Sequence, residues 1–379
     1  MKNMKISTKC LHGFRYQSAE GAVATPIFQS ATFAHPAIGQ STGYDYSRLQ
    51  NPTRETVENL LASLENAAEA LAFSTGMAAL TTLMELFSPD DHIIATSDLY
   101  GGSIRLFQHI SQKNGLQIDF VDTSNIAATQ NLIKPNTRAI FVETPTNPMM
   151  NVTDISAIKN IVKGQNILLI VDNTFLTPYF QQPLLLGADI VLHSGTKYLS
   201  GHNDTLAGFL AVSEPQLCER LKFIHKTTGA CLSPFDSFLV IRGIKTLGLR
   251  MDKSQENAIK LADYLQTLSM VKKVFFVGLK THPSYEISQR QSSGFGAMIS
   301  FEVDCQATAH KLLNNVKIIQ FAESLGGVET LITYPTTQTH ADVPPADRAA
   351  RGINDRLLRL SVGIENVDDL IEDLSQAIK

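Results

Sequence analysis

An acid and a lysine stand just beyond two short apolar runs. Leu168-Leu-Ile-Val-Asp172 ends one run in a carboxylate, and Ile190-Val-Leu-His-Ser-Gly-Thr-Lys197 follows the next with an amine. If both runs are strands of an open α/β sheet, the two groups lie at adjacent carboxyl ends, where such sheets bind their ligands. A lysine amine can hold an aldehyde as a Schiff base, and a carboxylate facing a pyridine nitrogen keeps that nitrogen protonated. Pyridoxal phosphate (PLP) asks for this pair. Taken singly, Asp172 reads as a loop cap and Lys197 as a solvated surface lysine. Ser194 and Thr196 change that reading. They place two hydroxyls just ahead of the lysine, able to reach a phosphate while Lys197 reaches the aldehyde carbon.

Further segments offer matching chemistry. Ala72-Phe-Ser-Thr-Gly-Met77 reads as a strand, a small-residue turn and a helix start. A helix N-terminus presents free N–H groups and a positive dipole end to a phosphate, and Gly76 permits close approach. Tyr100, in Asp98-Leu-Tyr100-Gly-Gly102, can stack on a flat ring. Gly43-Tyr-Asp-Tyr46-Ser-Arg48 is polar, aromatic and basic, and Arg48 suits a phosphate fork. Because it precedes the sheet, it could serve its own subunit or a neighbour. In Arg356-Leu-Leu-Arg359-Leu-Ser-Val, an arginine facing a cleft can clamp a carboxylate; alone, either arginine reads as a surface ion pair. Ala322-Glu323-Ser324-Leu-Gly-Gly327 is a polar turn to which the residues alone assign no role.

The elements that must position these groups alternate along the chain. Apolar runs at Ala70–Phe73, Ile93–Thr96, Ile118–Val121, Ala139–Val142, Leu168–Val171, Ile190–Leu192 and Phe209–Val212 predict strands. Helical patterns at Gly76–Phe87 and Asp154–Val162 lie between some of them. This alternation predicts an α/β domain with a mostly parallel sheet, whose strands are apolar throughout because both faces are covered. The first ~60 residues, with Pro26, Pro36 and Pro52, read as irregular. Beyond about residue 235, helices at Phe235–Gly248 and Asp252–Leu268, strand pieces around Gly296–Val303 and a final helix over Val367–Ile378 predict a smaller α+β domain. The division expected is residues 1–59 as an N-terminal arm, 60–245 as the cofactor domain and 246–379 as the C-terminal domain.

Composition excludes several classes. The 379 residues are 44% hydrophobic and 18% charged, with 32 Lys plus Arg against 36 Asp plus Glu. A net charge of −4 gives no nucleic-acid surface, and no apolar run reaches the ~20 residues of a membrane span. Cys10, Cys218, Cys231 and Cys305 are scattered, so neither a disulfide framework nor a metal site is expected. The start lacks the apolar core of a secretory signal, and the expected compartment is the cytoplasm.

The chain resembles the Cys/Met-metabolism group of PLP enzymes, which includes cystathionine γ-synthases, cystathionine γ- and β-lyases, methionine γ-lyases and homoserine-ester thiolyases. The resemblance is carried by Tyr46-Ser-Arg48 with Asn51-Pro-Thr53, Glu143-Thr-Pro-Thr-Asn-Pro148, Val171-Asp-Asn-Thr174, His193-Ser-Gly-Thr-Lys-Tyr198 and Glu323-Ser-Leu-Gly-Gly327. It implies the aminotransferase-like PLP fold type I and a homotetramer of tight dimers. It also implies roles: Lys197 as Schiff-base lysine and proton shuttle, Asp172 on the pyridine nitrogen, Tyr100 on the ring and Thr174 beside the cofactor. Ser194, Thr196, Gly76 and Met77 would hold the phosphate. Tyr46 and Arg48 would reach the phosphate of the neighbouring subunit. Arg359, Asn147 and Ser324 would bind the substrate carboxylate region. Glu323, helped by Asp45 of the neighbour, would orient an amino group of the substrate.

Gly195 stands where many relatives have alanine, an exchange expected to be tolerated, and Leu49-Gln50 where many have Thr-Gly. Gly102 replaces the cysteine usual in methionine γ-lyases. Asp45, Gly101-Gly-Ser-Ile-Arg-Leu-Phe107, Gly294-Phe-Gly-Ala-Met298 and Ala322-Glu-Ser-Leu-Gly-Gly-Val328 look most like cystathionine γ-synthase. The expected reaction is γ-replacement on an O-acyl homoserine by cysteine. The alternative is a cystathionine γ- or β-lyase. A catalytically silent scaffold would be expected to have lost Lys197 or Asp172, and both are present.

Overall fold

The computed structural model describes residues 4–379. Seven strands form the larger sheet: β1 (Glu69–Phe73), β2 (His92–Thr96), β3 (Gln117–Val121), β4 (Thr137–Glu143), β5 (Leu168–Asp172), β6 (Ile190–Ser194) and β7 (Gly208–Val212). They lie in the order β1-β7-β6-β5-β4-β2-β3. Strands β2 to β6 are parallel, and β7 is antiparallel to both β1 and β6. The fold is thus the mixed α/β architecture with a large, mostly parallel sheet.

Alternate residues of each strand feed two cores, as the strand period of two requires. Leu169, Val171 and Val191 pack into one; Ile170, Ile190 and Leu192 pack into the other. This two-sided burial explains the unbroken apolar runs. Emptying either core is costly: Phe141→Ala would remove about 3–5 kcal/mol, since Phe141 is wholly buried.

Five further strands build the smaller sheet: β8 (Val271–Phe275), β9 (Met298–Val303), β10 (Gln320–Phe321), β11 (Leu331–Thr333) and β12 (Leu357–Ser361), in the order β10-β11-β12-β9-β8. Helices Leu247–Thr267, Gln306–Asn315 and Val367–Ile378 supply its apolar cover.

Two expectations need correction. The first ~60 residues are not uniformly irregular, because helices occupy Ile6–His12 and Pro52–Glu65. Pro52 stands at the start of the second, where its missing N–H costs nothing, and Asn51 caps it by accepting from Thr53 N and Arg54 N. That helix runs through residue 59. The helix expected over Phe235–Gly248 is Pro234–Ile244, and the next begins at Leu247 rather than Asp252. Among the described residues no helix is long and apolar enough to cross a membrane.

Candidate active site

The sheet register builds the floor of the site. Glu143, Asp172 and Leu192 are neighbours across β4, β5 and β6, and Ser194 pairs with Gly208 on β7. Above them lies a cavity of about 230 Å³, lined also by Gly76, Met77, Tyr100, Thr174, Thr196 and Lys197. Arg359, Asn147, Glu323 and Ser324 line it as well, so the smaller sheet contributes one wall.

Gly76 and Met77 open the helix Gly76–Met84, whose N-cap Thr75 accepts from Ala78 N. The first N–H groups of a helix have no partner within it, and here the first residue of the helix lies against Ser194. A Cβ on Gly76 would lie 3.0 Å from Ser194 Cβ, so glycine sets how closely helix and turn approach. The Thr196 hydroxyl donates to Ala207 O and accepts from Ala207 N. Gly195 does not behave as expected: a Cβ there would fall 2.4 Å from Phe209 Cε2 and 2.9 Å from Ala207 Cβ. Alanine would therefore require the Phe209 ring to move. At Gly102 a Cβ would lie 2.4 Å from Tyr100 Cε1, so this glycine frees the position the tyrosine ring takes.

Lys197 Nζ donates to Ser324 Oγ at 2.9 Å. Burial, reinforced by the Arg359 guanidinium and opposed by Glu323, lowers its pKa to about 8. The amine can therefore take up or release a proton near neutral pH. Asp172 accepts from Thr174 through Oδ1, from N–H at 3.0 Å and from the hydroxyl at 2.6 Å. Burial raises its pKa, and these Thr174 donors work against the rise. Glu143 is pushed well above the carboxylate range by burial and then by the charge of Asp172. Its carboxyl accepts Tyr100 N at 3.1 Å and Asn147 N at 3.0 Å, tying together two segments of the cavity wall.

Arg359 on β12 is fully buried. It donates to Asn147 Oδ1 at 2.7 Å, Ser324 O at 2.9 Å and Thr333 Oγ1 at 3.1 Å. Burial lowers the guanidinium to about 10, which leaves it charged at neutral pH. Ser324 holds a φ of 85°, a left-handed conformation uncommon for a residue with a side chain. That backbone lets it offer its carbonyl to Arg359 and its hydroxyl to Lys197. Glu323, beside it, is exposed at the mouth.

Three expected residues lie elsewhere in the chain. Arg48 donates to Lys226 O at 2.7 Å, with its guanidinium 5.6 Å from the Tyr46 ring centre, and Asp45 pairs with His35. All three are exposed and none lines this cavity. Sequence reasoning had given Glu143 no role. Its signal was available, since it ends a strand beside Asp172 and strand ends are where such sheets work.

A lysine and an acid at adjacent strand ends, with a helix N-terminus against Ser194, define a PLP-binding α/β enzyme. Comparison with known families agrees: the family described as Cys/Met metabolism PLP-dependent enzyme matches residues 7–379, and the chain belongs to it. It is 47% identical to a cystathionine γ-lyase of Bacillus subtilis, over 99% of this chain and 100% of that one. It is also 47% identical to a cystathionine γ-synthase of Haemophilus influenzae, over 96% and 95%. The structure of a Lactobacillus plantarum cystathionine γ-lyase complexed with L-serine superposes with a TM-score of 0.97 at 42% identity, covering 99% of this chain and 98% of that one.

The cavity fits the cofactor on its own chemistry. Helix N–H groups and the Ser194 hydroxyl suit a phosphate, and the Lys197 amine near its pKa suits an aldehyde. Asp172 Oδ2, which has no protein partner among the described residues, suits a ring N–H.

Proposed function

We propose that the chain joins an O-acyl homoserine to cysteine by replacement at the γ-carbon, giving cystathionine, with PLP held by Lys197. When bound, PLP accepts the electron pair released at a substrate carbon. Lys197 Nζ takes the proton from Cα and then one from Cβ, and Tyr100 assists these transfers. With both protons removed, the γ-acyloxy group leaves as a carboxylate, the thiolate of cysteine adds at Cγ, and Lys197 Nζ returns protons to Cβ and then Cα. Asp172 faces the ring nitrogen, with Thr174 fixing its orientation. Ser194, Thr196 and the amides of Gly76 and Met77 hold the phosphate. Arg359, with Asn147 and Ser324, orients the substrate carboxylate, and Glu323 the distal amino group. The chains assemble as a homotetramer of tight dimers in which Tyr46, Arg48 and Asp45 serve the neighbouring site.

The observation that carries this reading is the separation of charge along one cavity. Arg359 lies buried inside, beside Lys197, and Glu323 is exposed at the mouth. The carboxylate of an acyl homoserine and the ammonium of an incoming cysteine match the two, as do the two ends of cystathionine. A cystathionine lyase is the second reading, supported by the identity to the Bacillus subtilis γ-lyase, which equals that to the Haemophilus influenzae γ-synthase. A product assay separates them. O-acetylhomoserine, O-succinylhomoserine and cystathionine are each supplied with and without cysteine. Cystathionine formation should exceed 2-oxobutanoate release whenever cysteine is present. Fast cleavage of cystathionine with the opposite ratio would establish the lyase.

A further inference from the structure

We propose that Glu65 and His193 form a buried charge pair that supports Asp172 and Ser194 from the reverse face of the large sheet. Glu65 is the last residue of helix Pro52–Glu65, and both it and His193 are fully buried. Glu65 Oε1 accepts from His193 Nε2 at 2.6 Å and from Asn173 Nδ2 at 3.2 Å. His193 precedes Ser194, and Asn173 follows Asp172. One carboxylate oxygen therefore ties together the two strand ends that carry the cavity's acid and hydroxyl. Strand alternation puts the tie behind them, because Leu192, Ser194 and Asp172 line the cavity and His193 and Asn173 do not.

The tie continues outward. Asn173 Nδ2 also donates to Gln181 O at 2.8 Å, and Gln181 Nε2 donates to Asn173 Oδ1 at 3.0 Å and Thr144 O at 3.3 Å. The ends of β4, β5 and β6 are thus braced together.

Charge gives the pair a second effect. Among the described residues His193 is the only cation in ion-pair reach of Glu65. As a charge pair, an imidazolium on His193 supplies the cation that a carboxylate buried at Glu65 calls for. Glu65 Oε2 and His193 Nδ1 are buried without partners. Buried pairs of this kind add little stability over apolar side chains, which directs attention to what the pair faces. The charged groups around Asp172 are Glu143 on β4, His193 on β6 with Glu65 behind it, and Lys197 and Arg359 across the cavity. Glu143 opposes ionisation of Asp172, whereas a positive His193 behind the strand end favours it, in keeping with the direction in which His193 moves the Asp172 carboxyl. His193 and Glu65 are positioning residues; neither touches the cavity.

The inference rests on the reading that Asp172 faces the PLP ring nitrogen. Its test is a double-mutant cycle on the PLP dissociation constant, measured by spectroscopic titration of the apo-protein. His193→Gln keeps a donor towards Glu65 and removes the charge. It should weaken PLP binding about tenfold in the natural chain and less than about twofold in an Asp172→Asn background, where no charge remains to be supported. Glu65→Gln takes away the counter-ion that keeps His193 protonated, so it should show the same pattern, and it carries the test if His193→Gln does not fold. Equal losses in both backgrounds, or undiminished PLP binding by a folded variant, would overturn the proposal. Asp172→Asn binding PLP as tightly as the natural chain would overturn the reading beneath it.

Discussion

On the proposed reading, Glu323 serves recognition and Lys197 proton transfer, and the two roles can be separated by experiment. Glu323 is exposed, and an exposed ion pair contributes only about 0–1 kcal/mol, more once a bound substrate excludes water. Glu323→Ala should therefore lower kcat/KM with cysteine by about tenfold and with sulfide, which has no ammonium, by less than about twofold. Equal losses for both nucleophiles would reduce Glu323 to a turn residue. Lys197, Asp172 and Ser194 were legible because each follows a strongly apolar run. Glu143 ends such a run too, but its partners are backbone N–H groups of Tyr100 and Asn147. Backbone donors leave no trace in residue type. The φ of Ser324 was equally hidden, since a serine in the left-handed region looks like any other serine.

At the level of elements, the turn carrying Lys197 is held from behind by helix Leu247–Thr267. Arg250 of that helix is buried and donates to Tyr198 O at 2.7 Å, Gly243 O at 2.8 Å and Thr246 Oγ1 at 3.1 Å. It makes no ion pair among the described residues. A Cβ on Gly201, whose φ is 74°, would lie 2.0 Å from its Nη1, so glycine is required there. Arg250→Met preserves bulk and leaves Tyr198 O without its donor, at roughly 1–3 kcal/mol, while Gly243 O keeps the Thr246 N–H. Its apo-protein should melt a few degrees lower and bind PLP more weakly; an unchanged melting temperature would show that the Tyr198 carbonyl finds another donor. All seven strands of the large sheet fell on predicted runs, because a run buried on both faces is a strong local signal. The antiparallel insertion of β7 between β1 and β6 was not legible. Strand order is decided by which faces pack, not by any one segment. Helix Pro52–Glu65 was missed because Pro52 was read as a breaker, although its apolar spacing of Val57, Leu60, Leu61 and Leu64 is helical.

Across the whole molecule, the N-terminal segment stays away from its own chain's cavity. Val23 is 79% exposed and Ile38 fully so, and Asp45, Tyr46 and Arg48 are exposed as well. Apolar residues so placed suit contact with another chain. If Arg48 completes a neighbour's site, inactive Arg48→Ala chains mixed with inactive Lys197→Ala chains should regain activity. With random exchange half of the dimers are hybrid and each holds one intact site, so about a quarter of the natural activity should return. Demonstrated exchange without recovery would contradict a shared site.

Borohydride reduction of the holoenzyme followed by peptide mapping tests whether Lys197 carries the cofactor. Reduction should fix PLP to the peptide containing Lys197, and Lys197→Ala should fold, take up no fixed label and lose turnover. Reduced PLP found on any other lysine, with Lys197 unmodified, would contradict the account.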